Sequence, residues 1–217
     1  MDKIIGADAV KLAGLQIDLL QKVRNGQRTF AHLEWFNRAT KEDLDKFMSQ
    51  GRVVDARFEL INTFDLVVPK GYNHATRLAT FAKMHKSEFI CYNSDITDKN
   101  FGKAMTKLVS GLKFKVDIFQ IKTRVGSEDC LAFLRSQKAV LTGAQGASLV
   151  YELAKNVLPA NRWFASFDDK DALWKDSVGF HRVPYVYRVS DDGFEFRLGY
   201  FGAVWDGDVC LLCFRDC

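Results

Sequence analysis

Four short apolar segments follow one another near the end of the chain: "RWFASF", "RVPYVYRVS", "GFEFRLGYF" and "DVCLLCF". Each has strand length and is rich in aromatic or β-branched residues. "SDDG" separates the second from the third and "WDGD" the third from the fourth, and both are hairpin turn signals. This order predicts an antiparallel β-meander over residues 161–215.

Upstream the texture differs. Residues 1–50 carry apolar residues at helical spacing: Ile17, Leu20 and Val23, then Phe30, Leu33 and Phe36, then Leu44, Phe47 and Met48. Gly26 offers a stop after the first run, Thr29 a cap for the second, and Thr40 with Asp43 an approximate capping box for the third. From Arg52 onward both textures mix. "RFELINTFDLVV" reads as one or two strands ending at Pro69, "HATRLATFAKMH" as a helix capped by Asn73, and "EFICY" as a short strand. "KFKVDIFQIK" alternates charged and apolar residues as a half-buried strand does, and Phe119 breaks the period. "SEDCLAFLRSQ" reads as a helix capped at Ser127, and "AVLTGAQGASLVYELAKNVLP" as strand, glycine turn and helix. The expected fold is α+β: a helical N-terminal segment (1–50) followed by a mixed domain (51–217) that ends in the antiparallel β-meander.

The formal net charge of +4 is spread over alternating acids and bases, as in "TKEDLDKF" and "SFDDKDALWKD". Such alternation describes a mixed solvated surface better than a dedicated nucleic-acid face. No run of about 18 apolar residues is present, so no membrane partner is expected. Asp2, Asp8 and Lys11 interrupt the start as a secretion signal. Five cysteines, an odd number, point to free thiols in a reducing compartment and hence to a cytoplasmic location.

Four places could carry chemistry. The terminal Cys210, Cys213 and Cys217 supply one incomplete ligand pair, and residues three apart on a strand point to opposite faces, so they read as core or surface thiols. "LTGAQGASLVYE" sets Gly143 and Gly146 between a strand and a helix. The helix start favours phosphate, with Thr142 and Ser148 as hydroxyl donors, although such glycines often serve only the turn. Asp168, Asp169 and Asp171 can hold Mg2+ or, more simply, cap a helix. His181, Arg182, Tyr185, Tyr187 and Arg188 interleave bases with aromatics. The strand period nevertheless divides the tyrosines from Arg182 and Arg188, which favours an ordinary sheet. His74 is a further candidate, paired with Asp65 or Asp95 should the fold join them. The sequence identifies no cofactor.

The phrases "LTGAQGASLVYE", "WFASFDDKDALW", "RVPYVYR" and "LLCFRD" resemble an uncharacterised bacterial protein family with no assigned function, over residues 52–217. The resemblance implies a bacterial, intracellular origin and transfers no active site. Three functions are expected, in order. The first is a cytoplasmic non-catalytic binding or interaction protein that docks a protein partner through its N-terminal helices. The second is a nucleic-acid-associated protein. The third is an enzyme acting on a phosphate-bearing or nucleotide substrate, with the 142–148 turn on phosphate and the 168–171 acids on metal.

Overall fold

A computed structural model describes residues 55–190 and 193–216, with residues 38 and 40. The expected helices of residues 1–50, and the partner docking assigned to them, lie outside the described residues.

Seven strands form one sheet in the order β1-β3-β9-β5-β6-β7-β2. They are β1 (Phe58–Val67), β2 (Phe89–Tyr92), β3 (Lys113–Ile121), β5 (Arg162–Ala165), β6 (Arg182–Arg188), β7 (Phe194–Tyr200) and β9 (Val209–Asp216). The pairs β9·β5 and β2·β7 are parallel and the others antiparallel, so the sheet is mixed. Two short strands, β4 (Val125–Gly126) and β8 (Val204–Trp205), pair separately. Three helices complete the described elements beyond single 3-10 turns: α1 (Arg77–His85), α2 (Ser127–Ser136) and α3 (Gly143–Ala154).

This corrects the expected closing meander. Only β5, β6 and β7 pair as consecutive antiparallel neighbours. After "GFEFRLGYF" the chain makes β8, which pairs with β4, and β9 then returns between β3 and β5. The physical reason is the composition of β9. Val209 to Phe214 are all apolar and all buried. A strand without polar alternation buries both faces and both edges, which suits the interior of a sheet and not the outer place at the end of a meander. The outer strand β2, by contrast, leaves Ile90 67% exposed.

The period-2 rule then divides the core in two. Cys210, Leu212 and Phe214 face one cluster with Val116, Ile118 and Phe164, covered by α1 and α3. Leu211 and Cys213 face the other with Phe119, Ile121 and Ala165, covered by α2. Strand β3 is therefore buried on both sides at its centre, not half-buried, and Phe119 stays in register while filling the α2 side. Asp117 shares that side, fully buried, and is held by Thr63 Oγ1 at 2.6 Å and Arg215 Nε at 2.7 Å. Ser127 begins α2 without a side-chain cap, and its hydroxyl accepts the Trp205 indole N–H at 2.6 Å instead.

The antiparallel pairing of β1 with β3 sets Val67 opposite Lys113. The chain leaving β1 and the chain entering β3 thus lie side by side at one end of the sheet. Val68 N–H to Leu112 O at 2.8 Å and Gly111 N–H to Val68 O at 2.9 Å prolong the contact beyond the strands.

Candidate functional site

Those two segments, 69–77 and 98–110, form the walls of a cleft. Its main chamber has a volume of about 680 Å³, with Tyr72, His74, Asp98, Lys107 and Val109 among its lining residues. A recess of about 200 Å³ shares Gly71, Tyr72 and Asn73 with it and reaches Lys70, Arg77 and Glu152.

The walls are built from local turn chemistry. Gly71 takes a positive φ of 81°, and a Cβ there would meet nothing within 4 Å, so glycine serves the backbone angle and not a close contact. Asn73 Oδ1 accepts the Ala75 N–H at 3.0 Å and caps the 3-10 turn His74–Thr76 that leads into α1. Thr76 makes no cap for α1. The cap arrives from the opposite wall: the two oxygens of Asp98 accept the Leu78 and Ala79 N–H groups at 2.8 and 2.9 Å. A carboxylate at a helix start satisfies open donors and meets the positive end of the helix dipole. Leu108 ties the walls together a second time, its N–H donating to His74 Nδ1 at 3.1 Å.

That bond defines the chemistry of His74. With Nδ1 accepting, the neutral ring carries its proton on Nε2. Burial and nearby Lys107 lower its pKa against the opposing pull of Asp98, so the neutral form is favoured. His74 Nε2 is buried without a partner, and so is the Tyr72 hydroxyl. Burial raises the Tyr72 pKa, which keeps the phenol protonated. Both groups therefore offer donors and neither is set up as a base. The Arg77 guanidinium, 6% exposed, donates to Glu152 Oε2 at 2.7 Å and Ser148 Oγ at 2.9 Å, and lies over the Tyr72 ring at 5.6 Å. The recess is thus lined by a buried, hydrogen-bonded Arg77.

The residues expected from the sequence are placed as follows. Thr142, Gly143 and Asp168 come together at the start of α3, where all three are buried. Gly143 has a positive φ of 51°, and a Cβ on it would stand 3.2 Å from Asp168 Oδ2. The protein's own carboxylate occupies the approach to this helix start. Gly146 lies inside α3, and a Cβ on it would stand 1.9 Å from Thr142 Oγ1 and 3.0 Å from Phe214, so this glycine lets the helix sit close upon β9. Ser148 is buried one turn on and reaches the cleft through Arg77. Asp169 pairs with Arg135, and Asp171 is exposed. Arg182 pairs with Asp176 beside a separate hollow of about 390 Å³ that Asp95 also lines, and the His181 ring stands 6.3 Å from that of Phe201. Tyr185 is buried and stacks on Trp163 at 5.0 Å, and Arg188 donates to Leu158 O. His74 has Asp98 as its neighbouring acid, in place of Asp65 or Asp95. Cys210 and Cys213 point to opposite faces, as the strand period requires. Among the described residues no group of three or more His, Cys, Asp or Glu is placed to hold a metal ion.

Asp168 also holds the cleft wall from behind. It accepts the Met105 N–H at 3.3 Å and the Asp169 N–H at 2.8 Å, while burial raises its pKa to about 7. Gln145 Nε2 donates to Phe101 O at 3.1 Å in the same stretch.

Compared with known proteins, the chain matches no family model, no curated protein and no solved structure. Among the described residues no helix is long and apolar enough to cross a membrane.

Proposed function

We propose that this chain is a non-catalytic binding protein whose small-molecule ligand enters the cleft between residues 69–77 and 98–110. The observation that carries the reading is the pair of buried, unpartnered polar atoms, Tyr72 Oη and His74 Nε2, on residues that line a chamber of about 680 Å³. Buried polar groups are nearly always hydrogen-bonded, and a ligand in the cleft is the natural partner for these two. The chamber size falls within the range of small-molecule sites, about 300–1,000 Å³. Binding is favoured over proton-transfer catalysis because the buried Nε2 of His74 carries the proton and Nδ1 is committed to Leu108. The protein would work in the cytoplasm, a reading supported by Cys91, Cys130 and Cys210, which are free thiols.

A thermal-shift screen of small metabolites on the wild type and on Val109→Trp tests this. Val109 is 56% exposed on the cleft wall, so the larger ring fills the chamber without entering the core. The expected result is a ligand that raises the melting temperature of the wild type and leaves Val109→Trp unmoved. Stabilisation that survives in Val109→Trp would place the ligand elsewhere, and silence across the screen would remove the reading.

A further inference from the structure

The cleft has an uneven supply of hydrogen-bonding groups. Its side-chain acceptors are already committed. Asp98 accepts from Leu78 and Ala79, Asn73 Oδ1 from Ala75, and His74 Nδ1 from Leu108. In the recess Glu152 accepts from Arg77 at 2.7 Å and stands 3.5 Å from His85 Nε2. The groups left over are donors: the His74 Nε2–H and Tyr72 O–H, and the ammonium groups of Lys107 in the chamber and Lys70 in the recess. No ion pair is formed by either lysine among the described residues, whereas both carboxylates lie against internal donors. The cleft therefore presents positive charge and spare N–H and O–H groups, with only hydroxyls such as Ser110 left to act in either sense.

From this imbalance we propose that the ligand is a small oxyanion, a phosphate monoester or a carboxylate, bound by Lys107 and Lys70 with His74 and Tyr72 as neutral donors beneath it. The proposal rests on the cleft being the binding site. A cationic ligand would meet two lysines and no free carboxylate. An apolar ligand would leave the two buried donors without a hydrogen-bond partner. An oxyanion supplies charge and several lone pairs at once, and charge-assisted hydrogen bonds are the stronger kind. Neutral His74 suits this role because its fixed tautomer aims a donor rather than an acceptor.

Isothermal titration calorimetry at low salt with ribose 5-phosphate, glutarate and neutral ribose is the test, on wild type, Lys107→Ala and Lys70→Ala. Both lysines are exposed, so the variants keep the fold, which circular dichroism verifies. At least one of the two oxyanions binds, and which of them binds assigns phosphate or carboxylate. Each substitution weakens that binding about tenfold, in line with a lost hydrogen bond to a charged group. Added salt weakens it further in the wild type. Binding of ribose without binding of either oxyanion overturns the inference and leaves the cleft reading standing. Oxyanion binding that neither lysine variant changes also overturns it. If none of the three probes binds, the oxyanion inference falls, and the broader thermal-shift screen then decides the cleft reading separately.

Discussion

Two helix starts in this protein meet a carboxylate that arrives from elsewhere in the chain, and they do opposite things. At α3, Asp168 closes over Gly143, and the Thr142 side chain packs against Gly146, so the whole start is buried. At α1, Asp98 accepts the Leu78 and Ala79 N–H groups, which Asp168 does not do at α3, and so joins two walls while leaving space between them. The contrast shows that a helix start rich in glycine, hydroxyl and carboxylate becomes a binding place only if nothing of the protein's own fills it. Here the richer motif is a packing device and the plainer one borders the cleft.

The largest test of that contrast is glycine replacement. Gly146→Ala drives a Cβ into Thr142 and Phe214 and should cost about 3 kcal/mol in urea unfolding. Gly71→Ala suffers only the positive φ and should cost about 1 kcal/mol. If Gly146→Ala were as mild as Gly71→Ala, the α3 start would have room, and the phosphate reading of the turn would return.

The next effect lies in Asp168. Folded, it keeps its proton to about pH 7; unfolded, it loses it near the ordinary value of 3.8. Between those values the folded state holds the extra proton, so this group's contribution makes stability fall as pH rises and level off above about pH 7. The slope is about 1.4 kcal/mol per pH unit at most. Asp168→Asn retains an acceptor for Met105 and should gain on the wild type by about 1 kcal/mol between pH 6 and 7, in urea titrations at each pH. Parallel pH curves for the two proteins would mean that Asp168 is solvated and the α3 start is not closed.

Much of the layout was legible from residue patterns. The strands of the large sheet, α1, and the opposed faces of Cys210 and Cys213 follow from local period, because side-chain direction on a strand depends only on the strand, whereas the strand expected before the glycine turn is only an isolated bridge from Val140 to Phe214. Strand order did not follow. "WDGD" announces a turn but not the neighbour, and β9 found its place through long-range burial that its unbroken apolar run alone hinted at. The glycine turn was visible, yet its closure depends on Asp168, 25 positions from Gly143, and on Phe214, further still. The cleft was the least legible part. Its walls are turns whose only local marks are "PKGYNH" and a lone His74, and their approach is set by the β1·β3 register.

The central claim is that ligand chemistry sits at the 69–77 and 98–110 walls and not at the α3 start. Amide NMR spectra of the 15N-labelled protein, titrated with the oxyanion that calorimetry selects, test it most directly. The account predicts shifts concentrated at Tyr72, His74, Lys107 and Leu108, with Gly143, Gly146 and Ser148 unmoved. Shifts centred on residues 142–148, with the cleft silent, would contradict it.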